Sequence, residues 1–320
     1  MLSVVVPAYN EEGLVSVAAV RLASILRGAD IPYELIFVDD GSRDGTWAEI
    51  LAAHATDTQV RGLRFSRNFG KEAAIFAGLA AAKGDCCAVI DCDLQHPPEK
   101  LVEMVGLWQA GYEVVNGVKT DRGEESAAHG LAARCFYKLM SRAAKIDMNS
   151  SSDFKLMDRQ VVDALLRLPE RRTFFRALVG WVGYRAIDVP FSVEERTQGS
   201  THFSAWSLMR YAVANITSFS SAPLQIVTVI GSVFLLFALV LGVHTLAEWA
   251  SGQAADGFTT VIVLILLTGS IIMISLGIIG YYLAQIYIEC KDRPRYLIAA
   301  HSDSERRMED ERTDENDPDA

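Results

Sequence analysis

The chain has 320 residues, half of them apolar, and a formal charge of −10. Nine acidic and three basic side chains fall between Ser302 and Ala320, so −6 of that charge sits at the C-terminal end and −4 in the remainder. This length fits one domain of about 200 residues plus an appendage; the five cysteines are odd in number and lack metal-ligand spacing, which excludes a disulfide scaffold or a zinc module.

Met1-Leu2 runs straight into Ser3-Val4-Val5-Val6 without a basic leader, so no signal peptide is expected. Leu2 to Val6 reads as a strand stopped by Pro7, and Leu14 to Leu26 as a helix. Tyr33 to Val38 is a second strand, ended by Asp39-Asp40-Gly41-Ser42, and Trp47 to Ala53 is helical. Val60 to Phe65 is a third strand, followed by Ser66-Arg67-Asn68-Phe69-Gly70 and a helix from Lys71 to Ala82. Cys86 to Ile90 is a fourth strand, Pro98 to Gln109 a helix and Tyr112 to Val118 a fifth strand. Cys86, Cys87 and Cys92 read as small buried hydrophobes. Strands alternating with helices predict an α/β fold with a mostly parallel sheet covered on both faces. Ligands of such sheets bind outside the carboxyl ends of the strands, where Tyr9, Asp39, Asp40, Asp91 and Asp93 fall.

The fourth strand ends in Asp91-Cys92-Asp93. Two carboxylates one residue apart suit a hard divalent cation, which takes one or two carboxylates plus substrate phosphates. An aromatic such as Tyr9 can stack on a base, and carboxylates accept from ribose hydroxyls. The loops carry neither Gly-x-Gly-x-x-Gly nor a Gly-Lys-Ser/Thr phosphate loop. Metal and basic side chains would then hold phosphates, the pattern of a nucleotide-sugar site.

Four motifs carry a family resemblance: Pro7-Ala8-Tyr9-Asn10-Glu11, Val38 to Thr46, Arg67-Asn68-Phe69-Gly70, and Asp91 to Pro98. Over roughly residues 1–290 the chain resembles a family 2 glycosyltransferase with a GT-A fold, in the branch of dolichol-phosphate mannose synthase and bacterial polyprenyl-phosphate glycosyltransferases. The resemblance implies that Pro7, Tyr9, Glu11, Val38 and Asp40 hold the base and ribose, with Cys92 also on the donor side. It implies that Asp91 and Asp93 bind the donor through Mg²⁺ or Mn²⁺, with Gln95 as a further ligand. Lys119 would face the diphosphate. Arg122, Arg134 and Lys138 would capture a lipid phosphate through fork-like and point-charge contacts, or else form a solvated basic face.

Ser151 to Arg159 resembles the branch's Asp-Phe-Arg-Leu segment, which puts Asp153 beside Asp93 in the catalytic set. A phosphate monoester is already anionic near neutrality, its second pKa being about 6. Asp153 is therefore either a base or a group that orients an arginine or the acceptor. Glu195 to Phe203 resembles a mobile Arg-x-x-Gly-x-Ser-Lys loop; Arg196 matches, whereas Thr201 and His202 replace Ser and Lys. Both Arg196 and His202 are expected on the donor diphosphate.

Residues 204–221 have helical periodicity that suits an interfacial helix or the core-facing helix of a soluble domain. Leu224–Val243 and Thr259–Leu283 are apolar runs long enough to span a bilayer. No Lys or Arg occurs from Tyr211 to Cys290, while Lys291, Arg293 and Arg295 follow. The positive-inside rule then predicts a multi-pass protein of the cell membrane with its catalytic domain and C-terminus cytosolic. The expected domains are a GT-A domain at 1–203, an interfacial helix at 204–221, a two-helix membrane domain at 222–290 and a disordered acidic tail at 291–320. The expected activity is metal-dependent inverting transfer of one hexose from a nucleotide-sugar donor, UDP-glucose or alternatively GDP-mannose, to polyprenyl phosphate. The alternative from another class is a silent nucleotide-binding membrane scaffold. Further copies of the chain are expected as partners, as in a homo-oligomer, and nucleic acid is not.

Overall fold

The computed structural model describes residues 1–119, 151–170, 174–192, 222–251 and 258–304. Strands β1 (Leu2–Ala8) and β2 (Tyr33–Asp39) are buried at every position, which is why they read as continuous apolar runs rather than alternating ones. With β3 (Val60–Phe65) and β4 (Cys86–Val89) they form a parallel core in the order β3-β2-β1-β4. Helices α1 (Val15–Gly28), α2 (Thr46–Thr56), α3 (Lys71–Ala81) and α4 (Lys100–Gln109) follow these strands in turn. Leu22, Leu26, Ile50, Ile75, Phe76 and Met104 bury their side chains from these helices almost completely. Crossovers of this kind bring every strand's carboxyl end to one edge. Each of these strands and helices starts or stops within three residues of its sequence-based bound.

Beyond β4 the sheet changes character. Strand β6 (Ser151–Asp158) lies antiparallel between β4 and β5 (Val114–Lys119), and β7 (Ala186–Phe191) pairs parallel with β5. Helices α5 (Arg159–Arg167) and α6 (Phe175–Trp181) stand between β6 and β7 in the chain. Of these, β5 shows in the sequence pattern and β6, β7, α5 and α6 do not; β6, for one, mixes Asp153 and Lys155 into a buried strand. Lys155 is 3% exposed, and Asn116 on the neighbouring strand takes its Nζ at 2.7 Å. Burial pushes the Lys155 pKa down to about 8, against the pull of Asp153. Asn116 in turn donates to Asp188 on β7 at 3.0 Å, so a polar ladder crosses three strands.

The chain divides into two compact units, Met1–His202 with Pro294–Ala320, and Phe203–Arg293. The second contains two apolar helices, α7 (Ala222–Ala250) and α8 (Phe258–Cys290). Among the described residues one segment, Leu267–Cys290, is long and apolar enough to cross a bilayer, and a shorter apolar stretch, Val229–His244, lies in α7. The interfacial helix expected at 204–221 lies outside the described residues.

The expectation of a disordered tail from residue 291 is corrected. Ile298–His301 forms β8, an antiparallel edge strand on β3. Tyr296 stacks on Phe65 at 5.0 Å, the Arg295 guanidinium covers the Phe76 ring and also donates to the Leu168 carbonyl. Ser302, 1% exposed, accepts from the Gly62 amide at 2.9 Å. A four-residue strand is too short to show in composition, and the acids beyond it dominate the pattern. Ser302→Ala leaves the Gly62 N–H buried without a partner, a loss of about 1–3 kcal/mol. Chemical denaturation of the variant is expected to show a lowered midpoint at unchanged slope.

Candidate active site

A cleft of about 270 Å³ opens at the carboxyl edge of β1, β2 and β4, lined by Pro7, Tyr9, Glu11, Asp40, Lys71, Asp91, Cys92 and Asp93 among others. Tyr9, 43% exposed, stands ready for a planar ligand. The residue after it, Asn10, has φ of 55°, and Leu94 within the Asp-x-Asp turn has φ of 51°. A left-handed leucine costs about 1–2 kcal/mol, strain of the kind kept where a site needs it.

Asp40 is buried, and its two oxygens accept from the Phe69 amide at 2.6 Å and the Gly70 amide at 2.8 Å. Burial raises its pKa, a shift those two amides oppose. Its carboxylate thus fixes the loop after β3 while also facing the cleft. Gly41 (φ 71°) makes the approach: a Cβ there would meet the Arg67 backbone at 2.4 Å. Asp39 is fully buried; Oδ1 accepts from the Ser42 amide and Oδ2 lies 3.3 Å from Arg64 Nε.

The loop held by Asp40 delivers Lys71. Its Nζ lies 2.6 Å from Asp91 Oδ1 and 2.8 Å from Asp153 Oδ2. Arg176 on α6 grips the same Asp153 through a fork, Nε to Oδ1 at 2.6 Å and Nη2 to Oδ2 at 2.9 Å. Burial works against the Asp153 carboxylate, but the Arg176 fork and Lys71 hold its pKa far below the usual range. A carboxylate so committed orients cations and is a poor base. Glu72, next to Lys71, accepts from the Phe175 amide at 2.8 Å and so pins the start of α6. Burial pushes the Glu72 pKa up to about 7, the Phe175 amide opposing and nearby Asp153 adding to it.

Among the described residues, Asp39 Oδ2, Asp91 Oδ1 and His96 Nδ1 are buried side-chain atoms without an aligned hydrogen bond, and all three sit at this edge. Lys71 meets Asp91 Oδ1 as an ion pair rather than an aligned donor. The Asp91 and Asp93 carboxylates, both on the cleft, are the groups that could hold a divalent ion, with Lys71 already beside Asp91. Asp93 Oδ1 accepts from the Gln95 amide at 3.1 Å, which shapes the turn. Among the described residues no three His, Cys, Asp or Glu side chains group to hold an ion by themselves. Two carboxylates needing a ligand's phosphates to complete the shell suit Mg²⁺ or Mn²⁺ better than zinc. His96 packs on Phe154 at 5.3 Å and against Phe191, its Nδ1 3.9 Å from Asp91 Oδ2.

The cleft therefore gathers Pro7, Tyr9, Glu11, Asp40, Asp91, Cys92 and Asp93. Gln95 sits in the adjoining turn and Lys119 is exposed at the end of β5. Val38, expected on the donor, is fully buried in β2. Arg122, Arg134, Lys138, Arg196 and His202 lie outside the described residues. Sequence reasoning missed Lys71, Glu72, His96, Lys155 and Arg176. Lys71 had a signal: a cation at the first position of a helix opposes the macrodipole, so it needs another reason to be there.

The chain belongs to glycosyl transferase family 2, whose model, described as "Glycosyl transferase family 2", matches residues 3–166. It is a glycosyltransferase of GT-A, Rossmann-like fold. An uncharacterized glycosyltransferase of Synechocystis is 39% identical over 93% of this chain and 94% of its own. The prophage bactoprenol glucosyl transferase homolog of Escherichia coli is 39% identical over 93% and 98%. The bactoprenol glucosyl transferase of Shigella phage SfII is 37% identical over 93% and 97%. Among solved structures, glucosyl-3-phosphoglycerate synthase from Mycobacterium tuberculosis, with Mn²⁺, UDP and phosphoglyceric acid, is similar at TM-score 0.49 and 22% identity, over 68% of this chain and 78% of that one.

Glu72 supplies a pH test. Burial raises its folded pKa above the ordinary value of 4.5, so its stability contribution is fully present below about pH 4.5 and is lost as pH rises through about 7. Glu72→Gln keeps an acceptor for Phe175 and removes the titration. Thermal melts between pH 5 and 8 are expected to fall less steeply for Glu72→Gln than for the wild type, the two differing by about 3 kcal/mol at pH 8.

Proposed function

We propose that this glycosyltransferase moves one hexose from UDP-glucose to a polyprenyl phosphate at the cytosolic face of a membrane, with inversion at the anomeric carbon. The observation that carries the reading is the single ammonium of Lys71, which ties Asp91 after β4 to Asp153 on the neighbouring strand β6. The names of the Escherichia coli and phage relatives, which specify bactoprenol and glucose, support the acceptor and the sugar.

An acceptor phosphate oxygen attacks the anomeric carbon as that carbon's bond to the nucleoside diphosphate breaks. The acceptor phosphate is already ionised near pH 7, so no protein base is required. This agrees with an Asp153 locked between Arg176 and Lys71. Asp153 then acts by holding those cations in place, and both groups reach solvent enough to meet phosphate oxygens. Tyr9 offers its ring to the base, and Glu11 and Asp40 flank the ribose end of the cleft. Asp91 and Asp93, with Gln95 beside them, would hold Mg²⁺ or Mn²⁺, which when bound supplies positive charge for the departing diphosphate. Lys119, Arg196 and His202 are proposed to add donor contacts, and Arg122, Arg134 and Lys138 acceptor contacts.

Connectivity supports a membrane anchor with an even number of crossings. Strands β1 to β7 precede the apolar helices and β8 follows them, yet all eight share one sheet. The intervening chain must leave and return on the same face. Helix α7 has 29 residues and α8 has 33, or about 43 and 50 Å at 1.5 Å per residue, against a hydrocarbon core of about 30 Å. Their side chains are apolar and exposed on several faces, as at Val229, Leu236, Val240, Met273 and Leu283. Two spans with cytosolic ends satisfy both the connectivity and the basic residues after α8.

Purified protein with Mg²⁺ or Mn²⁺, polyprenyl phosphate and a panel of UDP- and GDP-sugars is expected to yield butanol-extractable glycolipid from UDP-glucose. Product from GDP-mannose alone would reassign the donor, and no product from any sugar would favour a silent scaffold. Asp93→Asn is expected to cut turnover by orders of magnitude at an unchanged melting curve; near-normal turnover would remove Asp93 from the metal set. A cysteine at Gly252 in a cysteine-free variant is expected to react with impermeant maleimide on intact cells. Labelling only after lysis would reverse the orientation.

A further inference from the structure

Lys71 stands where a metal ion would draw on Asp91. Its Nζ is 2.6 Å from Asp91 Oδ1, closer than a relaxed ammonium–carboxylate contact, and no aligned hydrogen bond competes for that oxygen among the described residues. A divalent ion on the same oxygen would lie about 2.0–2.1 Å from it. Two cations on one carboxylate oxygen repel each other. The ammonium has a second partner, Asp153 Oδ2 at 2.8 Å, to which it can remain bound after releasing Asp91. The backbone beneath it is fixed by Asp40 through the Phe69 and Gly70 amides, while the Lys71 side chain is 43% exposed. The side chain can therefore swing while its anchor stays still.

We propose that Lys71 is a built-in competitor of the metal at Asp91, so that the divalent ion binds weakly to the empty cleft and tightly only together with a nucleoside diphosphate. The inference rests on the metal reading of Asp91 and Asp93 given above and adds an order to it. The diphosphate brings negative charge that neutralises the ion and the ammonium together, which lifts the repulsion. By linkage the metal must strengthen diphosphate binding by the same factor. The consequence is a site that resists filling by metal alone, a state that would block Asp91 without a donor to use it.

The test is Mn²⁺ binding by the full-length protein in detergent, followed by electron paramagnetic resonance with and without UDP, and with GDP in a parallel series. Lys71→Met is expected to tighten donor-free Mn²⁺ binding about tenfold, within the range of ordinary site-to-site coupling, and to shrink the enhancement by UDP to match. Lys71→Arg, which keeps the charge, is expected to stay near wild type. Asp153→Asn leaves the ammonium to Asp91 alone and is expected to weaken donor-free binding, the opposite sign to Lys71→Met. Donor-free affinity that is unchanged or lower in Lys71→Met, with binding in the presence of nucleotide retained, overturns the competition. Loss of all Mn²⁺ binding in Asp91→Asn checks the underlying metal assignment. Absence of binding in the wild type even with UDP or GDP would overturn that assignment, and this inference with it.

Discussion

One ammonium group between two carboxylates governs the cleft. Asp91 closes a strand of the parallel half of the sheet, and Asp153 belongs to the antiparallel strand beside it. In a partly buried cleft two such carboxylates repel unless a cation stands between them. Lys71 is that cation, Arg176 completes the charge around Asp153, and both arrive from helices outside the sheet. The position of each of these helices is in turn set by a carboxylate on a backbone amide. Asp40 fixes the loop that begins α3, and Glu72 fixes the first residue of α6. The site is thus a relay of acids holding amides that hold cations that hold acids.

Such an arrangement is costly, and part of the cost shows at the cleft. The buried atoms without aligned partners and the left-handed Asn10 and Leu94 lie at the carboxyl edge of β1, β2 and β4. Elsewhere in the sheet, among the described residues, buried side-chain nitrogen and oxygen atoms have partners. Glu34, for instance, accepts from Ser3, the Lys83 amide and Arg61, which together lower its pKa although burial alone would raise it. The contrast separates polar burial that serves the fold from polar burial left open for a ligand.

The C-terminal strand binds the apolar unit into the same covalent circuit. Because β8 pairs with β3, the chain enters and leaves the apolar helices from one sheet, and Ser302 caps an amide that would otherwise be stranded at that edge. An edge strand without a partner invites aggregation, so the returning segment also protects the sheet.

The sequence by itself determined the parallel half of the fold. Strands buried on both faces must be largely apolar, and their ends must carry the polar residues, so Tyr9, Asp40, Asp91 and Asp93 are legible as one edge from the sequence. The apolar helices were legible for the same reason, through length and composition. Only the tertiary structure decided the rest. Lys71, Arg176 and Asp153 are far apart in sequence and acquire meaning only when α3, α6 and β6 bring their charges within 3 Å. Strand β6 hid because Asp153 and Lys155 break its apolar run, and their burial is tolerable only with partners from other elements. Strand β8 hid because four residues carry too little pattern, and its stability comes from the edge it meets rather than from its own residues. Val38 drew its expected role from its place in a motif, and β2 buries it completely, as it buries every residue of that strand.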